Sequence, residues 1–146
     1  MKRKLLYGHI ISLLIGGLIY ILFRTSTLKM FRWFDSLGLT ETIDTARNLT
    51  LNYSNQLPNW VKFSLPDGLW IFSYVCLLLL IWSDSELKKS LPWILVIPAL
   101  AILSEIGQLP KVVPGTFDPI DLIFYLSGTI LPFLITKSLT IKTQKL

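Results

Sequence analysis

Glu105, Gln108, Asp118 and Asp121 fall within one stretch, SEIGQLPKVVPGTFDPID at residues 104–121, flanked on both sides by some of the most apolar sequence in the chain. Asp67 stands in a like position at the head of a further apolar run. Carboxylates and a carboxamide in such a setting can accept hydrogen bonds from a ligand, attract a cation or carry a proton, and each is costly to bury without a partner. Catalytic sets are harder to find. His9 is the only histidine, and no serine or cysteine has an identifiable base near it, so a hydrolytic triad is not supported. The spacing of the acids matches no metal motif, and the single cysteine, Cys76, excludes an internal disulfide and a cysteine-based metal cluster. The sequence calls for no cofactor and leans away from an enzyme.

The elements that position these groups belong in lipid. Of 146 residues, 52% are hydrophobic, and the mean hydropathy is +0.58. Four apolar spans, approximately 5–23, 66–82, 91–109 and 119–136, come close to the ~17–25 residues a bilayer crossing takes. The chain is therefore expected to be an all-α integral membrane protein, one membrane domain of four transmembrane helices. Met1-Lys2-Arg3-Lys4 resembles the start of a signal peptide, but no small-x-small cleavage pattern follows, so the first span is expected to be retained. The net charge of +5 is spread over tails and loops, which suits anionic lipid headgroups rather than nucleic acid.

Four spans place both termini on one side. The tails and the 83–90 loop carry eight basic residues against six on the other side, which favours cytoplasmic termini. The long 24–65 loop is expected to be extracytoplasmic. Within it Leu28, Phe31, Phe34 and Leu37 recur near helical spacing beside Trp33, the pattern of an interfacial helix, and a second short helix is expected near residues 40–49. The same loop is a candidate docking surface for a larger membrane complex.

Helix alternation brings Asp67, Glu105, Gln108, Asp118 and Asp121 to one membrane surface, whichever way the protein faces. Glu105 lies about 6 Å inside the end of its helix at 1.5 Å per residue, with Gln108 on the same face. Asp118-Pro119-Ile120-Asp121 reads as a helix start with Asp118 as N-cap and Asp121 at the third helical position, and Ser64-Leu65-Pro66-Asp67 follows the same logic. On this reading the aspartates have a capping role, and Glu105 has either an interhelical hydrogen bond or a functional role. Trp60, Trp70, Phe117 and Tyr125 flank the layer.

The layout resembles the VanZ-like family of small bacterial membrane proteins. That family has an acid opening one span, a Glu-x-x-Gln closing the next, and a Pro-Gly loop leading to an Asp that opens the last. By this resemblance Asp67 is the opening acid, Glu105 and Gln108 the Glu-x-x-Gln, Pro114-Gly115 the loop and Asp121 the final acid, with Gly128 seven residues on. Where the family has Lys and His after the opening acid, this chain has Gly68 and Ile71. Where it has Arg after Pro-Gly and Asn after the final Asp, this chain has Thr116 and Tyr125. The acidic half of the pattern is present and the basic half is replaced. The resemblance implies a multi-pass protein of the bacterial cytoplasmic membrane and no settled reaction. The expected function is an outer-face pocket of Glu105, Gln108, Asp67, Asp121, Asp118 and Tyr125 that binds an envelope lipid or headgroup-type ligand. The alternative is a non-catalytic accessory subunit of a larger membrane complex.

Overall fold

A computed structural model describes residues 2–54 and 56–143. The described residues form seven helices and no strand: α1 (Lys2–Phe23), α2 (Lys29–Ser36), α3 (Thr40–Ser54), α4 (Asn59–Lys62), α5 (Ser64–Ile81), α6 (Leu87–Gln108) and α7 (Pro119–Thr143). Four of them, α1, α5, α6 and α7, are long and apolar enough to cross a membrane. Their outward faces are apolar as well: Leu14, Leu18, Leu103 and Ile123 are all exposed. Continuous apolar surface of this kind is disfavoured in water and natural in lipid.

Helix α5 is the centre of the bundle. Both α1 and α7 pack extensively on it, while α6 makes lighter contacts with α5 and α7. Ile71, Val75, Cys76 and Leu79 of α5 join Leu5 of α1 and Ile94 of α6 in the buried core. The α5–α7 crossing needs a residue without a side chain. A Cβ on Gly128 would overlap the Gly68 carbonyl oxygen and come within 3.1 Å of the Phe72 nitrogen. Small residues let backbones approach in this way, which matters where lipid supplies no hydrophobic drive between helices.

The start of α5 differs from the expected cap. Phe63 occupies the N-cap position with no side-chain hydrogen bond, and α4 runs almost directly into α5. Ser64 lies inside the first turn, 1% exposed. Asp67 therefore caps nothing. Pro66 is tolerated there because first-turn amides have no intrahelical acceptor to lose.

The 24–65 segment folds into three helices, and α3 reaches Ser54, beyond the short helix expected. Arg47 of α3 donates to the carbonyls of Ile21 at 2.5 Å and Arg24 at 2.7 Å, closing the C-terminal end of α1. Helix C-termini leave such carbonyls unpaired and partly negative, so a guanidinium fork satisfies two of them at once. The Arg47 guanidinium also lies 4.8 Å over the Phe31 ring. The expected apolar face of α2 is split: Phe31 and Phe34 are half-buried, whereas Trp33 and Leu37 are 67% and 70% exposed. Trp60 stacks on Phe124 of α7 at 5.7 Å and so ties α4 to the bundle.

Candidate functional site

Glu105 joins the last turn of α6 to the first turn of α7. It is 4% exposed. Its Oε1 accepts the Asp118 backbone N–H at 2.6 Å and its Oε2 accepts the Gln108 side-chain amide at 3.3 Å. Asp118 is the N-cap of α7, its Oδ1 accepting the Ile120 N–H at 2.8 Å. In a capping box the acid at the third helical position would reach back to the N–H of the N-cap residue. That acid is Asp121, but Glu105, arriving from another helix, has taken the N–H. Glu105 therefore makes the interhelical hydrogen bond that was one of its two expected roles, and Asp118 keeps its role as N-cap. Asp121 stays in the first turn of α7, but its side chain makes no capping hydrogen bond.

What Asp121 does instead is stay open. Its Oδ1 is shut off from solvent and has no hydrogen-bond partner, and the Gln108 Oε1 is in the same state. Gly115 leaves room for the Gln108 side chain. With φ at +141° it adopts a conformation that favours glycine, and a Cβ there would lie 2.7 Å from the Gln108 Cδ. Asp67, half-buried, accepts no hydrogen bond from the described residues. It lies within electrostatic reach of Arg24, Asp121 and Glu105. Tyr125, one turn beyond Asp121, lies within electrostatic reach of all four of those charged groups. The layer is thus a set of neighbours: Asp67, Glu105, Gln108, Asp118, Asp121 and Tyr125 meet at one end of the bundle.

Arg24 is the member that sequence reasoning missed. It follows the last turn of α1, its N–H donating to the Tyr20 carbonyl. Its guanidinium lies 5.2 Å from the Tyr20 ring centre and 5.0 Å from that of Phe63. Such cation–π contacts are worth about 0.5–1 kcal/mol each at exposed sites. They hold the head group but use none of its N–H donors, and no carboxylate of the described residues pairs with it. Trp60 and Trp70, expected to flank the layer, are engaged in helix packing; Trp70 tilts against Tyr20 at 5.0 Å.

A second polar cluster lies deeper. His9 of α1 places Nδ1 2.7 Å from the Ser73 Oγ and 3.2 Å from the Ser73 carbonyl oxygen, while the Ser73 hydroxyl donates to the His9 carbonyl at 3.1 Å. A serine does therefore have a histidine beside it, contrary to the sequence reading. The pair is poorly arranged for catalysis. The Ser73 hydroxyl has a competing acceptor in the His9 backbone carbonyl, and which group donates between it and Nδ1 is set by the ring tautomer. Ser73 is also 2% exposed. No group of three His, Cys, Asp or Glu side chains among the described residues is placed to hold a metal ion.

Fold and site together define an all-helical protein with four helices of membrane-spanning length and apolarity and a polar layer at one end of the bundle. No protein-family model matches the chain, and no curated protein or solved structure matches it either.

Proposed function

We propose that the chain is a multi-pass protein of the bacterial cytoplasmic membrane, VanZ-like in layout, whose polar layer binds an envelope lipid or a headgroup-type ligand on the outer face. The observation that carries this reading is the set of unmade hydrogen bonds around Glu105: Asp121 Oδ1 and Gln108 Oε1, both buried, beside an unpaired Asp67. Buried polar atoms in native proteins are normally satisfied, so neighbouring exceptions point to a partner that binds there. An apolar groove of ≈ 240 Å³ between α1, α5 and α7, lined by Leu65, Leu69, Phe124 and Leu131 among others, supports a lipid as that partner. The larger number of basic residues in the tails and the 83–90 loop supports cytoplasmic termini.

Asp67→Asn, Asp121→Asn and Glu105→Gln, each purified from native membranes, test the pocket by the lipids that co-purify. Loss of one lipid species in the aspartate variants is the expected outcome. An unchanged lipid profile in all three folded variants would end the proposal.

A second reading, an accessory subunit docking through the 24–65 segment, draws support from the exposed Trp33 and Leu37. Gentle detergent extraction at native expression levels discriminates, because a free, monodisperse chain counts against it.

A further inference from the structure

We infer that α2 and α3 form a hairpin that lies on the bilayer and sinks one apolar flank into the boundary between headgroups and acyl chains. That flank consists of Trp33 of α2 and Leu37 at its C-terminal cap, with Leu49 and Tyr53 of α3. This assignment rests on the membrane-spanning reading above but not on the polar layer, and it gives to lipid the side chains that an accessory subunit would offer to a partner protein. Leu49 and Tyr53 are 74% and 63% exposed, as open as Trp33 and Leu37. The face expected from periodicity was a different one, and its Phe31 and Phe34 turn inward instead.

The chain doubles back between the two helices. Gly38 makes the turn at φ +69°, and beside it the Thr40 hydroxyl donates to the Asp35 Oδ1 at 3.1 Å. Further from the turn, the Arg47 guanidinium lies 4.8 Å over the Phe31 ring. The helices therefore run antiparallel, and Phe31 and Phe34 line one cleft of ≈ 310 Å³ with Ile43. Successive helical residues turn by about 100°. Trp33 and Leu37 thus stand about 100° from the Phe31–Phe34 row, and Leu49 and Tyr53 about 100° from the Ile43–Arg47 row. Seen from each helix's own N-terminus, both offsets are anticlockwise. Two antiparallel helices that face each other and share this sense present both exposed rows on one side of the hairpin. Lys29, Arg32 and Ser36 of α2, with Glu41, Asp44 and Asn48 of α3, fill the remaining arc and are exposed.

Two anchors lay the hairpin along the membrane surface. Arg47 holds the middle of α3 to the carbonyls of Ile21 and Arg24, where α1 ends. Lys62 of α4 donates to the Ser54 carbonyl at 3.2 Å, at the C-terminal end of α3 and just before α5 begins. Helix α3 is thus tied at two points to places where helices of membrane-spanning length stop. A helix pair held at that level has one flank toward the lipid around α1, whose Leu14 and Leu18 are exposed. The make-up of the flank matches this depth. Tryptophan and tyrosine are enriched at membrane interfaces, and Lys29, one turn before Trp33, has the reach to place its ammonium among the headgroups. A helix with adjoining apolar and charged arcs settles about 5–10 Å into the headgroup–acyl boundary.

The test uses the full chain in vesicles of dioleoyl phosphatidylcholine and phosphatidylglycerol, with a nitroxide label on Trp33→Cys, Leu49→Cys, Ser36→Cys or Leu14→Cys. Cys76 is buried, so the wild type serves as the unlabelled blank. Paramagnetic resonance reads the collision of each label with oxygen, which concentrates in lipid, against a water-soluble nickel chelate. Leu14 lies nine residues before the end of α1, about 14 Å deep at 1.5 Å per residue, and should give the highest oxygen-to-nickel ratio. The Trp33 and Leu49 sites are expected to fall between the Leu14 and Ser36 sites, severalfold above Ser36. Should either hairpin variant fail to fold, Leu37→Cys and Tyr53→Cys carry the same readout from the same two rows. Nickel access at Trp33 and Leu49 equal to that at Ser36 places the flank in water and overturns the inference. Labels shielded from both reagents overturn it too, and assign the flank to a second copy of this chain. If the Leu14 site is itself open to nickel, the membrane-spanning reading falls with it, whereas a lipid-exposed Leu14 beside a water-exposed Trp33 removes the hairpin assignment alone.

Discussion

The two polar clusters of this bundle solve the same problem in opposite ways. His9 and Ser73 meet between α1 and α5 and bind each other: the His9 Nδ1, the Ser73 hydroxyl and both backbone carbonyls are in contact within 3.2 Å. At the acidic end, Asp121, Gln108, Asp67 and Arg24 are neighbours that leave bonds unmade. The difference separates two uses of polarity in an apolar bundle. A closed cluster holds helices in register, since its groups bond across from one helix to the other. An open cluster contributes little to the fold and has bonding capacity to spare. Glu105 belongs with the closed kind although it sits among the open ones.

This contrast predicts where substitutions harm stability. The largest loss is expected from Arg47→Ala, which removes two charge-assisted hydrogen bonds to the end of α1 and should cost about 2–4 kcal/mol. The measure is the midpoint of unfolding in a graded sodium dodecyl sulfate titration. Next comes Glu105→Ala, which leaves the part-buried Asp118 N–H without its acceptor and should cost about 1–3 kcal/mol. Glu105→Gln keeps an acceptor and should cost less than about 1 kcal/mol. Equal midpoints for the two Glu105 variants would return Glu105 to the open cluster and break the comparison.

Ser73→Ala comes third, at about 1 kcal/mol, the usual net worth of a neutral side-chain hydrogen bond. Lipid retention should not change with it. A Ser73→Ala variant that loses a co-purifying lipid while keeping its unfolding midpoint would mean that the His9–Ser73 pair is a site and not a fastener.

Much of this was legible in the sequence, for physical reasons that also mark where legibility ends. Hydropathy located the four long helices because length and apolarity are written directly in the order of residues. Alternation then placed Asp67, Glu105 and Asp121 at one end without any knowledge of packing. Asp118 and Pro119 announced the start of α7 because capping is local. One failure is local, the start of α5, where α4 runs almost directly into the helix and Phe63 takes the N-cap position; the others are contacts between distant segments. Which acid takes the Asp118 N–H depends on how α6 leans on α7, so the local pattern credited Asp121. Arg24 looked like one more loop charge because its position rests on Arg47, which only the folding of α3 brings to the end of α1. The His9–Ser73 contact joins residues 64 positions apart, and nothing in either residue's neighbourhood signals the other.

The smallest stability effect belongs to Asp67→Asn and Asp121→Asn, and it sharpens the comparison most. Neither carboxylate accepts a hydrogen bond from the described residues, so removing its charge breaks nothing visible. Two like charges near each other are also relieved when one becomes an amide. Each variant is therefore expected to unfold within about 0.5 kcal/mol of the wild type, or slightly later, the range typical of substitutions that remove no native contact. Residues kept for stability do not behave this way, whereas residues kept for binding commonly trade stability for function. If either variant instead loses 2 kcal/mol or more, as breaking a buried pair does, the open cluster is a closed one whose partners are solvent or lipid in every state. The decisive pattern is the pairing of a flat unfolding midpoint with a lost lipid, and Asp121, whose buried Oδ1 has no protein partner, is where it should be clearest.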